Sequence, residues 1–161
     1  MNTIDISYEN GSFKVFAPKK GVLDYLNKVL DHIGLKDVEF SVSFVTEESM
    51  HSMNLDFRGI DDSTDILSFA AEDEDPDGIV FVSAGRRKRV LGDMVICPDV
   101  LKRNAKTFGV TENEELRRLL IHGVLHLSGD NHLTNDMSEP MLIRQEKILS
   151  DLALGGKTLL D

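Results

Sequence analysis

A chain of 161 residues, 41% hydrophobic and 29% charged, can bury one sizeable core and is too mixed in composition to be fibrous or disordered. Its formal charge of −10 excludes general adhesion to nucleic acid and leaves any polyanion to a local positive patch. Cys97 is the single cysteine, so no internal disulfide forms, which fits a reducing cytoplasm; no signal-like leader opens the chain and no segment reaches the roughly 20 apolar residues of a membrane span.

Residues 3–8 and 12–16 alternate apolar and polar around Asn10-Gly11, which predicts an opening hairpin. Pro18 starts a helix with apolar positions 22, 23, 26, 29, 30 and 33, closed by Gly34. Residues 38–45 read VEFSVSFV, a half-buried strand. Thr46 caps a short helix with Glu47 and Glu48 in its first turn and Met50, Met53 and Phe57 facing inward. Ile66–Phe69 reads as a short strand. Residues 61–77 hold eight Asp or Glu and no base, and Arg86, Arg87, Lys88 and Arg89 follow as a basic run. A solvated loop with partly neutralised charges is preferred there over a mobile flap near a polyanion.

Val90–Cys97 predicts a strand, and Pro98 a helix ending near Phe108-Gly109. Thr111 and Glu114 form a capping box for the next helix. A last helix, about 137–152, opens near Ser138-Glu139-Pro140 with Met141, Leu142, Ile148, Leu149 and Leu152 on one stripe, and 154–161 is expected to be a loose tail. The order predicts one α+β domain over 1–161: a small mixed sheet of four to five strands packed with about five helices.

Within that frame, His122, His126 and His132 fall inside the eleven residues HGVLHLSGDNH, at i, i+4 and i+10. The first two share a helix face. Gly129 can end the helix in a left-handed turn and bring His132 alongside. The run LLIHGVLHL from Leu119 to Leu127 is apolar all round except for its histidines, so the helix is buried and its imidazoles need partners. Three converging imidazoles with no fourth ligand match a catalytic zinc site with an open position, at the end of a buried helix. The spacing also matches the metzincin protease pattern H-E-x-x-H-x-x-G-x-x-H, but Gly123 stands where those enzymes carry their general base. Gly123 instead allows a close approach to the helix.

HGVLHLSGDNH resembles the H-G-x-L-H-L-x-G-Y-D-H signature of the YbeY family, bacterial metallo-endoribonucleases of ribosomal RNA maturation. NLDFRGIDDSTDILSF, LGDMVI and RQEKIL are similar to further family blocks, in the same order across residues 54 to 149. The resemblance implies three zinc-binding histidines at His122, His126 and His132, one ion per chain, and a cleft arginine at Arg58. It also implies a cytoplasmic, single-strand-directed endoribonuclease acting in 16S ribosomal RNA 3′ end maturation and in ribosome assembly or quality control. The expected partners are ribosomal RNA, the small ribosomal subunit and a basic ribosomal protein, with no DNA and no membrane. Asp130-Asn131 departs from the family's usual Tyr-Asp beside the third histidine.

Zinc held by three neutral nitrogens lowers the pKa of a bound water toward ~7 and polarises a phosphoryl oxygen. Arg58 can hold a phosphate bidentately or simply cap a helix end. Asp65 and Asp93 read as turn and strand-end residues before they read as acceptors behind a ligand, and His32 and His51 carry no assigned role. No general base stands out. Two other readings stay open: a ribosome-assembly binding factor with a structural metal, and, less favoured, a metal-dependent peptidase or amidase, which lacks its base at Gly123.

Overall fold

The computed structural model describes residues 1–74, 79–83, 86–130, 132 and 134–153. In chain order these form β1 (Thr3–Tyr8), α1 (Phe13–Phe16), α2 (Lys19–Ile33), β2 (Val38–Phe44), α3 (Glu47–Arg58), β3 (Ile66–Ala70), α4 (Ala71–Glu74), β4 (Ile79–Ser83), β5 (Arg86–Ile96), α5 (Pro98–Phe108), α6 (Glu112–Leu127) and α7 (Pro140–Asp151). The sheet has five strands in the order β1-β2-β5-β3, with β4 also paired to β5. β1, β2 and β5 run parallel, whereas β3 and β4 are antiparallel to β5, β3 along its second half and β4 along its first. The α+β fold with a mixed sheet is thus as expected, with five longer helices and two single-turn ones among the described residues.

Hydrophobic side chains occupy both sheet faces. Successive strand residues point to opposite sides. Met94 joins the main core with Val22, Tyr25, Leu26 and Val29 of α2 and Leu120, Ile121 and Val124 of α6. Val95, its neighbour, joins a smaller cluster with Met50, Leu67, Cys97 and Val100, against which Met53 and Phe69 pack. α6 and α3 therefore flank opposite faces of the sheet, and β3 separates them as the last strand in its order.

Gly92 marks a bulge in β5: the register with β2 shifts between Glu39 and Phe40, and the glycine holds φ +131°. A Cβ there would lie 2.0 Å from the Phe69 carbonyl oxygen, so only glycine fits.

Several expectations need correction. There is no opening hairpin: β1 pairs with β2, and 13–16 is helical. Asn10 redirects the chain, its Oδ1 accepting the Ser12 N–H at 3.0 Å and its carbonyl the Phe13 N–H at 3.1 Å. Phe13 and Ala17, one helical turn apart, are buried, while Val15, which a strand would place with Phe13, is exposed. Phe57 does not face inward; Asn54 is buried in α3 instead, its Nδ2 donating to the Asp62 carbonyl at 2.9 Å. Residues 61–77 are not one loop, since β3 and α4 lie within them. The basic run belongs to β5, where Lys88 donates to Thr3 Oγ1 and Arg89 pairs with Glu72. Those contacts favour the neutralised-charge reading; the side chains of Arg86 and Arg87, like 154–161, lie outside the described residues.

Candidate metal centre

The helix that carries the site is set at both ends. Thr111 Oγ1 accepts the Glu114 N–H at 3.0 Å, and Glu112, Glu114 and Glu115 sit in the first turn, where the helix dipole favours acids. At the other end the Gly129 N–H reaches the His126 carbonyl at 3.1 Å and the Asp130 N–H the Leu125 carbonyl at 2.9 Å. This is a Schellman pair, made possible by the positive φ of Gly129. The chain then doubles back toward His132.

Gly123 presses α6 against the sheet. A Cβ there would come within 2.3 Å of Met94 Cε and 2.9 Å of its Cγ, and Met94 is fully buried. The close approach inferred from Gly123 is therefore a packing contact with β5.

His122, His126 and His132 converge. Their candidate ligand atoms all lie within 4.8 Å of one another. The ring centroids are 4.7 to 5.3 Å apart. Each ring is oriented by an oxygen. His122 Nδ1 lies 2.6 Å from Gln145 Oε1. The amide of Gln145 cannot be reversed, because its Nε2 donates to Glu146 Oε2 at 3.1 Å. The ring must therefore donate from Nδ1, leaving the Nε2 lone pair free. His132 Nδ1 donates to the Thr134 carbonyl at 2.7 Å. His126 hydrogen-bonds the Asp130 backbone. Carbonyl acceptors behind ligating imidazoles fix tautomer and orientation.

Burial holds the His122 ring below the ordinary histidine range, against the Gln145 bond. Burial and the neighbouring His122 and His132 push His126 down to about 4. Both rings are neutral at pH 7, the form that binds metal. Neutral, oriented and convergent nitrogens fit a divalent ion of the zinc type.

The orienting amide belongs to a larger network. Gln145 is nearly fully buried on α7. Its partner Glu146 accepts from Arg118 Nε at 2.9 Å, and Arg118 Nη1 reaches the buried Glu115 at 2.8 Å. These bonds lock α7 to α6. On another side of the turn, Glu72 Oε2 would lie 3.7 Å from a Cβ on Gly129, so the Glu72–Arg89 pair backs the turn between the second and third histidines.

The other candidates fall as follows. Arg58 ends α3 with an exposed side chain that forms no hydrogen bond or ion pair among the described residues. It does not belong to the imidazole cluster itself. The loop after it leads to Asp65, whose charge acts on His122 and whose Oδ2 accepts from Asn104 Nδ2 at 3.3 Å. Asp65 is thus both a turn residue and a member of the site's electrostatic surroundings. Asp93 stays in the sheet, accepting from Ser41 Oγ at 2.6 Å. Asp130 accepts from Arg144 Nη1 at 3.0 Å and ties the turn to α7, while Asn131 lies outside the described residues. His32 and His51 pair with Asp151 and Asp61 at the surface. Sequence reasoning missed Gln145 and Glu115. The usable signal was a polar residue inside an otherwise apolar stripe: Gln145 lies between Met141, Leu142 and Ile148, Leu149.

The family model described as Endoribonuclease YbeY matches residues 4–153. The protein called Endoribonuclease YbeY in Treponema denticola is 36% identical over 148 residues, covering 92% of this chain and 92% of that protein. Its namesake in Staphylococcus aureus is 36% identical, covering 96% of this chain and 98% of that protein. The solution structure of TM1509 from Thermotoga maritima superposes with a TM-score of 0.60 at 27% identity, over 92% of this chain and 88% of that one. Matched nearly end to end by both a family model and full-length relatives, this chain belongs to the YbeY endoribonuclease family.

Proposed function

We propose that this chain is a zinc-dependent endoribonuclease that cleaves single-stranded ribosomal RNA, with His122, His126 and His132 holding one ion and Arg58 holding a substrate phosphate. The observation that carries it is the convergence of three histidine side chains within 4.8 Å, with the Nδ1 protons of His122 and His132 donated to carbonyl oxygens. When bound there, zinc supplies a water of lowered pKa and an electrophile for a phosphoryl oxygen. The chain's own residues do the rest. Gln145 and the Thr134 and Asp130 carbonyls aim the imidazoles, while burial keeps His122 and His126 neutral. The guanidinium of Arg58, without a partner among the described residues, can take two phosphate oxygens at once.

The working context in this reading is the cytoplasm, at the 3′ end of 16S ribosomal RNA on the small subunit, within a single functional domain spanning 1–161. The net charge of −10 supports a docking contact with a basic ribosomal protein, since free RNA is repelled at long range. Among the described residues no helix is long and apolar enough to cross a membrane. The peptidase reading is disfavoured by Gly123, because the space a glutamate side chain would need is filled by Met94.

The test is incubation of the purified protein with single-stranded RNA and with a peptide library, each with and without chelator, alongside metal analysis. RNA cleavage that disappears with chelator and returns with zinc is the expected outcome. Stoichiometric metal with no cleavage of either substrate would leave an assembly factor with a structural ion.

A further inference from the structure

The apolar side chains at the exposed end of α3 are unused by the catalytic reading. Leu55, Phe57 and Ile60 are all open to solvent there, Phe57 most of all at 68%. The ring is nonetheless held in place. It meets Phe69 edge to face, with centroids 5.2 Å apart and planes at 67°. Phe69 belongs to β3 and packs against the smaller core. A ring both anchored and two-thirds open presents a free π face at little ordering cost.

Two neighbours say what that face is for. Arg58 follows directly in sequence, exposed and without a partner among the described residues. β3, the strand of Phe69, packs against α6, the helix that carries His122 and His126. The strand that positions Phe57 through Phe69 therefore also borders the helix that supplies two of the three imidazoles. An open aromatic ring next in sequence to a cation with no partner among the described residues, on the strand edge that packs against α6, matches the chemistry of a nucleotide: a flat base and the phosphate next to it.

We infer that Phe57 stacks one base of a single-stranded RNA while Arg58 holds an adjacent phosphate, fixing the strand across the edge of β3. This rests on the endoribonuclease reading and names the part of the substrate bound outside the histidine cluster. Stacking is tolerant of sequence, because every base has a π face, and it is denied to a duplex, whose bases are already stacked. It is also nearly independent of salt. For a chain of net charge −10 this is the contact that long-range repulsion does not weaken.

The experiment compares zinc-loaded wild type, Phe57→Leu and Phe57→Tyr on a short single-stranded RNA carrying 2-aminopurine at successive positions, and on the corresponding duplex. Wild type should quench the probe at one position of the single strand and at none of the duplex. Phe57→Leu should lose that quenching and raise KM about 5- to 150-fold, the range expected for one stacked base. Its kcat, zinc content and salt slope should stay at wild-type values, and Phe57→Tyr should restore both quenching and KM. Cleavage by wild type together with an unchanged KM and quenching in Phe57→Leu overturns the stacking role alone. A zinc-loaded wild type that neither binds nor cleaves single-stranded RNA overturns the stacking role and the endoribonuclease reading together.

Discussion

β3 divides two surfaces built on opposite principles. On the α6 side the polar atoms are committed: His122 to Gln145, Gln145 to Glu146, Glu146 to Arg118, Arg118 to Glu115. On the α3 side Arg58 is without a partner among the described residues, and Phe57 is exposed apart from its contact with Phe69. The first surface is pre-organised at the cost of burying polar groups, which is tolerable because their hydrogen bonds are made. The second keeps its groups free, as a site must if a flexible ligand is to complete it. On the proposed reading, chemistry that needs fixed geometry and binding that needs adaptability fall on different sides of one strand.

The sharpest way to break this contrast is at the cluster. His126→Ala should abolish near-stoichiometric metal binding and, with it, RNA cleavage; metal analysis after gel filtration checks it, and full retention would remove the three-histidine assignment. Gln145→Leu comes next. It keeps the volume of the side chain but removes the acceptor behind His122, so zinc affinity should fall about 10- to 100-fold, read by competition with a chromophoric chelator. Arg58→Ala should separate the two sides cleanly. Activity on single-stranded RNA should drop on the order of 10- to 100-fold, the worth of a charge-assisted contact. The melting temperature should stay within a few degrees, as expected when an exposed, unpaired side chain is cut back, typically within about 0.5 kcal/mol. A variant that melts early but cleaves normally per folded molecule would make Arg58 structural.

Smaller effects probe the packing and the protons. Gly123→Val should cost about 1–3 kcal/mol in chemical denaturation, because Met94 fills the space the new side chain needs. The pH response of the chelated protein should be modest but signed. The folded-state pKa of His126 is about 4, below its ordinary 6.5, so in that window the unfolded chain takes up a proton that the folded chain refuses. Its stability contribution is present above pH 6.5 and is lost as pH falls toward 4. Thermal melts across that range should show the decline, and His126→Gln should flatten it.

Much of this was legible in the sequence, and the reason differs by element. α2, α5 and α6 carry long periodic patterns with a cap or glycine at an end, and β2 alternates cleanly, so local and tertiary preferences agree. The spacing of the histidines with Gly129 between them implied their convergence. The failures are short segments decided by single contacts. Residues 12–16 alternate as a strand would, but Asn10 captures two N–H groups and turns them into a helix. Phe57 fits the inward periodicity of α3, yet the helix buries Asn54 to bind the Asp62 carbonyl. α4 is too short for any pattern to announce it. Gln145 showed only as a polar break in an apolar stripe, because its meaning comes from a residue 23 positions away.

The bond between His122 and Gln145 has a temporal consequence. All three histidines leave the ribosome before α7 does, yet one of them owes its tautomer to that later helix. On the proposed three-histidine reading, a growing chain cannot present its metal ligands in final form until α7 has emerged and docked on α6. Tight metal capture then waits for α7, and by reciprocity a captured ion clamps α7 onto α6. Protection of α7 amides from hydrogen exchange becomes a direct gauge of how fully a population of molecules is loaded.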